Sequence, residues 1–111
     1  MYSIYKKSAN SQARCGKLQT RHGEINTPFF MPIATKGAVK TLTIQDINRL
    51  SPQILLSNTY HLYLQPGDDV IRDAGGLGKM MNWHGPTMTD SGGFQAFSLG
   101  AAFGTSVSKI A

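Results

Sequence analysis

Cysteine is nearly absent from this sequence: Cys15 stands alone among 111 residues. That excludes an internal disulfide framework, a multi-cysteine metal site within the chain and dithiol redox chemistry. Long apolar runs are missing too. The longest, Pro28 to Ala34 (PFFMPIA), is interrupted by proline and falls far short of the roughly 18 residues that suggest a membrane span. The opening MYSIYKK has no apolar segment behind its charges, so no secretory signal is read there; no membrane association and a cytoplasmic setting are expected. No internal repeat, low-complexity tract or linker divides the chain. Acidic residues are few, 6 against 11 Lys and Arg, for a net charge of +5. The excess is concentrated at one end, where Lys6, Lys7, Arg14, Lys17, Arg21, Lys36 and Lys40 face only Glu24. Charge of this kind speaks to association rather than fold, and leaves both a polyanionic partner and a merely solvated basic face open.

What is present is globular in character, 41% hydrophobic and 15% charged, within the size of one domain. Residues 1–27 alternate short strand-like runs with polar turns (Tyr2 to Tyr5, Cys15 to Thr20, Glu24 to Thr27), which predicts a small antiparallel sheet. From Pro28 the pattern changes. Phe29, Phe30, Met31 and Ile33 read as a strand buried on both faces, of the kind found in parallel sheets. Thr43 and Asp46 are placed to cap a helix carrying Ile44, Ile47 and Leu50, with Pro52 as its stop. Gln53 to Leu56 reads as a second buried strand, Asp68 to Ala74 as a helix ending at Gly75-Gly76, Lys79 to Asn82 as a further helical turn, and Thr87 to Thr89 as a third strand. Two successive β-helix-β units follow, for which right-handed parallel pairing is the common solution. Thr35, Asn58 and Asp90 each stand where a strand has just ended, the position of working groups in α/β folds. Asn58 is then placed to orient the Asp90 carboxylate from the adjacent strand. The tail from Leu99 has no clear terminating element, and three strands fall short of a closed barrel of about 250 residues, so a truncated chain is expected.

The stretch Thr89 to Gln95, TDSGGFQ, concentrates the chemistry. A carboxylate after a strand can act as a general acid or base, glycines let backbone N–H groups approach a flat ligand, an aromatic ring can stack on it, and a glutamine offers a paired donor and acceptor. A planar nucleobase meets all four demands, with stacking alone worth roughly 1–3 kcal/mol. A plain strand-ending turn, with Asp90 bonded to local amides and Phe94 in the core, fits the same residues. The histidines His22, His61 and His84 lack metal-ligand spacing, Trp83 and Met80, Met81 and Met88 read as packing residues, and Asp46, Asp68, Asp69 and Asp73 as solvated or capping groups on helices.

TPFFMPIATKGAVKTL (27–42), LLSNTYHLYLQPG (55–67), GGLGKMMNW (75–83) and TDSGGFQAFSL (89–99) together resemble the N-terminal part of the tRNA-guanine transglycosylases (queuine tRNA-ribosyltransferases). NTYHL and TDSGGFQ, in this order and about 30 residues apart, carry the resemblance, and the form GGFQ is similar to the bacterial type more than the archaeal. The resemblance implies an α/β fold: the first units of a (β/α)8 barrel over 28–111, incomplete in this chain and preceded by an antiparallel sheet over 1–27. It implies exchange of an anticodon-loop guanine in tRNA for a 7-deazaguanine in queuosine biosynthesis, through a double displacement at the ribose C1′. Asp90 would be the catalytic acid/base, Phe94 the stacking ring and Gln95 a reader of the base edge; Ser91, Gly92 and Gly93 would shape the pocket, and Asn58 would orient Asp90. The nucleophilic aspartate and a zinc site are implied downstream of Ala111, with no cofactor within this chain, and a homodimer for the full-length protein. The 111-residue chain alone is expected to be inactive, and a non-catalytic tRNA-binding or dimerising module is the alternative.

Overall fold

A computed structural model of the chain describes residues 1–103, with side chains as far as Ser98. Its first layer is an antiparallel sheet of β1 (Tyr2–Lys7), β2 (Arg14–Thr20) and β3 (Gly23–Thr27), in that spatial order. The β2–β3 turn is closed by Thr20, whose Oγ1 accepts the His22 N–H at 3.1 Å and donates to the Gly23 carbonyl at 2.7 Å. Polar alternation along β3 leaves Ile25 as its single fully buried side chain.

The second layer is a parallel pair, β4 (Leu55–Ser57) and β5 (Thr87–Thr89), paired Leu55 to Thr87, Leu56 to Met88 and Ser57 to Thr89. Helix α1 (Ile44–Leu50) precedes β4. It begins with a reciprocal cap: the Asp46 N–H donates to Thr43 Oγ1, and the Thr43 N–H donates to Asp46 Oδ2 at 3.0 Å. It ends at Ser51, which takes the left-handed conformation one residue before Pro52. Between β4 and β5 lie α2 (Thr59–Leu64), α3 (Asp68–Asp73) and α4 (Leu77–Met81); α5 (Gly93–Phe103) follows β5. Neither α2 nor α5 was expected from the sequence. The reading of the tail as lacking a terminating element bears on 104–111, which lie outside the described residues, although α5 already carries regular structure to Phe103.

The apolar run after Pro28 departs from its expected form. It is not a strand buried on both faces, because it contributes one parallel bridge, Ile33 to Leu56. Phe30 is 81% exposed and Ile33 55% exposed. The cause is local: Pro28 and Pro32 have no N–H to give a ladder. Only two bonds form, Leu56 N–H to the Pro32 carbonyl at 3.1 Å and Ala34 N–H to the Leu56 carbonyl at 2.6 Å.

The core sits where these pieces meet. Ala34, Ile47, Leu55 and Met81 are buried together, with Val39, Ile44, Leu77 and Trp83 packed around them. The two layers are tied by Gln53, whose Oε1 accepts the Asn26 N–H at 2.7 Å while its Nε2 donates to the Asn26 carbonyl at 3.0 Å. The side-chain amide thereby substitutes for a neighbouring strand's peptide at that point of β3. Leu55 is buried within the cluster and Leu50, on the same helix-to-strand passage, is 65% exposed. Leu55→Ala is therefore expected to cost about 2–5 kcal/mol in urea unfolding, against a change within about 0.5 kcal/mol for Leu50→Ala; equal effects would mean the core has been misplaced.

Candidate active site

The carboxyl ends of the parallel segments meet at one place. The Asn58 N–H donates to the Thr35 carbonyl at 3.3 Å, and the Asn58 side-chain Nδ2 donates to Asp90 Oδ2 at 2.9 Å. The structure thus brings three strand-end residues, 35, 58 and 90, into a single hydrogen-bonded chain. Register accounts for it: Ser57 is opposite Thr89 in the parallel pair, so the next residues, Asn58 and Asp90, leave the sheet side by side.

Thr59 completes the junction. Its N–H donates to Asp90 Oδ1 at 2.8 Å, and its hydroxyl donates to the Asp90 main-chain carbonyl. That N–H opens α2 and has no partner within the helix, as for any first-turn amide, so Asp90 caps α2 from another element. Asn58 occupies the N-cap position of α2 without capping it through its side chain; its amide is spent on Asp90 instead. Sequence reasoning singled out Asn58 but not Thr59. A main-chain donor has no residue-type signature, and the only available signal was the direct abutment of Asn-Thr on the strand Leu55–Ser57.

The electrostatic result follows from the donors. The Asn58 amide first, and the Thr59 N–H next, hold the Asp90 carboxyl below the usual aspartate range, with a smaller contribution from His61 and partial burial opposing. Hydrogen bonds to the charged form favour it, so Asp90 is a carboxylate at neutral pH with both oxygens engaged. His61, on α2, meets the Tyr60 ring edge-on at 5.5 Å between centroids.

The rest of the motif is laid out along the turn into α5. Ser91 is exposed. Gly92 is buried at φ +68°, and a Cβ there would lie 3.1 Å from the Tyr60 nitrogen and 3.4 Å from Thr59 Cβ. Glycine is needed at that position both for its left-handed backbone and for the closeness of α2. Gly93 opens α5, Phe94 on its first turn is 69% exposed, and Gln95 is half-buried. Among the described residues the Phe94 ring is not buried, and it presents an aromatic face four positions after the carboxylate.

The other acids lie elsewhere. Asp46 is consumed by the α1 cap, Asp69 and Asp73 pair with Arg72 at 2.6 and 3.3 Å, and Asp68 is exposed in the first turn of α3. Among the described residues no group of three or more His, Cys, Asp and Glu side chains could hold a metal ion. No helix among them is long and apolar enough to cross a membrane.

A family model described as Queuine tRNA-ribosyltransferase matches residues 8–110. Curated relatives bearing the same name include those of Desulforamulus reducens, 57% identical over 97 residues, and Natranaerobius thermophilus, 54% identical over 99 residues. The matches cover 87% and 89% of this chain but 26% and 27% of the relatives. The chain thus spans about a quarter of the length of the curated relatives it matches.

The Asp90 junction makes two predictions. Because the folded carboxyl lies below its unfolded value, the Asn58 and Thr59 contacts stabilise the fold above the unfolded value and are lost as pH falls through the folded one. In Asn58→Ala the Asp90 carboxyl should titrate at higher pH in carbon-detected NMR, and the acid-side loss of stability should begin earlier; an unmoved midpoint would contradict the assigned cause. Gly92→Ala should lower thermal stability more than Gly93→Ala, since only Gly92 combines positive φ with a close neighbour.

Proposed function

The chain belongs to the queuine tRNA-ribosyltransferase family, and from that premise we propose that it supplies the base-handling part of a pentosyltransferase. The reaction is exchange of an anticodon-loop guanine in tRNA for a 7-deazaguanine, with Asp90 as its proton carrier. The observation that carries this reading is the strand-end carboxylate held ionised by Asn58 and Thr59, at the start of the turn that presents Phe94. On this reading the mixed α/β architecture, an antiparallel sheet followed by a parallel pair with helices, would be the opening of a (β/α)8 barrel.

Base exchange is neutral in protons. The incoming base loses one ring N–H proton on forming its glycosidic bond, and the departing guanine gains one at the ring nitrogen that leaves C1′. A single carboxyl cycling between its two states balances both events. Asp90 rests as the carboxylate; it takes up one solvent proton as the tRNA binds, gives it to the departing guanine, recovers one from the incoming base, and releases it to solvent when the product leaves. Ring stacking on Phe94 and a donor–acceptor pair from Gln95 hold the base, while Ser91, Gly92 and Gly93 let it approach the backbone. The target nucleotide leaves its stack to reach this turn, as single-stranded loop recognition and base extrusion require.

Retention at C1′ by double displacement needs a second carboxylate as nucleophile. The chain's other five acids sit on helices or at the Lys17 pair of the outer sheet, so the nucleophile belongs to a segment outside this chain, as does the zinc site implied by the family. The setting is cytoplasmic, and a homodimer is proposed for the full-length protein. The position of those five acids also favours a second reading, a tRNA-binding or dimerising module without chemistry of its own.

A chimaera distinguishes the two. With residues 1–98 of this chain replacing the matching segment of the Desulforamulus reducens relative, exchange of labelled guanine into tRNA is expected, and Asp90→Asn should slow it by about 100-fold or more. A chimaera that binds tRNA without exchange, or one indifferent to Asp90→Asn, would favour the module. The 111-residue chain alone should give no exchange, and measurable turnover by it would overturn the need for a nucleophile from elsewhere.

A further inference from the structure

The antiparallel sheet carries an arrangement that the Asp90 site does not use. Lys7 and Arg14 are directly opposite one another on β1 and β2, next to the Lys6–Cys15 pair. The register slips between Ile4 and Lys6, so that Tyr5 is an extra residue in β1; such a bulge re-aims the side chains that follow. Beyond the pair the connection is tied off by the Ser8 N–H to the Ala13 carbonyl at 2.9 Å, and Ser8 Oγ accepts the Asn10 N–H at 3.2 Å. The two cations therefore flank the closing bond of a polar turn, in fixed register. Together with Lys6, Ser8 and Pro28 they border a groove of about 390 Å³.

Like charges directly across a strand pair repel and cost stability. No counter-charge among the described residues relieves them. The ion pairs among the described residues are Lys17 with Glu24, and Arg72 with Asp69 and Asp73. Glu24, the only acid of this sheet, is held by Lys17 at 2.7 Å and also by Gln19 at 2.5 Å. Lys6, Lys7 and Arg14 are all exposed.

We propose that Lys6, Lys7 and Arg14 form a docking site for an RNA sugar–phosphate backbone, separate from the base pocket and serving to anchor the tRNA. The inference rests on the proposed function for the identity of the RNA. Positions paired across a sheet are about 5 Å apart at Cβ, so a guanidinium and an ammonium on long stems can grip one phosphate or straddle two neighbours. Guanidinium binds phosphate oxygens in a two-pronged manner and ammonium as a point charge. Such contacts position a nucleic acid without reading its sequence, which leaves selection of the target guanine to the Asp90 turn.

The test is binding of unmodified tRNA by the full 111-residue chain over a range of salt concentrations. Each phosphate contact contributes about 0.7–0.9 to the slope of log K against log salt. Lys7→Gln with Arg14→Gln should lower the slope by about 1.4–1.8. The charge-retaining exchange Lys7→Arg with Arg14→Lys should keep it, and Arg49→Gln, on the exposed side of α1, should leave the drop attributable to the patch. An unchanged slope in the Gln double variant would overturn the proposal, as would failure of the parent chain to bind tRNA. Equal competition by poly-glutamate would also overturn it, by showing a site for acidic protein rather than for phosphates. The guanine exchange assay on the chimaera reads the pocket, and the salt slope reads the patch. Exchange with an unchanged slope sinks the dock alone; a lowered slope with no exchange sinks the pocket reading alone.

Discussion

Two donors on one carboxylate organise the strand-end junction of this molecule. Asn58 Nδ2 and the Thr59 N–H take the two oxygens of Asp90, and the Thr59 hydroxyl takes its main-chain carbonyl. The same contacts do three things. They join the ends of β4 and β5 beyond the last ladder bond, they satisfy an amide at the start of α2 that the helix cannot, and they fix the charge of the group. Removing any one of these roles would alter the other two, because a single pair of oxygens serves them all.

The arrangement depends on a strand that passes into a helix without a loop. Ser57 ends β4 and Thr59 opens α2, leaving Asn58 alone to make the transition. Its main chain remains in the extended region, its N–H reaches back to Thr35, and its side chain turns sideways to β5. Gly92 answers from the other side, since only a residue without Cβ lets the turn after Asp90 pass this close to Tyr60. Preorganisation of the carboxylate is therefore built from backbone geometry on both strands, with Asn58 as its one essential side chain.

Much of this was legible in the residues. Alternation and turn chemistry gave the outer sheet, the Thr43–Asp46 spacing gave the α1 cap, and the positions of Asn58 and Asp90 after apolar runs placed both at strand ends. What escaped did so for identifiable reasons. The run PFFMPIA has strand-like composition, but two prolines strip its ladder of donors and Phe30 stays in solvent. Helix α2 follows its strand so closely that no boundary residue marks it, and its natural cap, Asn58, is engaged elsewhere. Thr59 acts through its N–H, which every residue but proline possesses. Cross-strand opposition of Lys7 and Arg14 depends on a register that a bulge shifts by one, and that shift is invisible in composition.

The amide of Gln53 has a further consequence for the lifetime of the protein. Both of its ends are matched to the main chain of Asn26, a donor facing a carbonyl and an acceptor facing an N–H. Hydrolysis of that amide would replace the nitrogen with a second oxygen and set a negative charge against the Asn26 carbonyl. One slow chemical lesion would then loosen the outer sheet from the layer that carries Asp90.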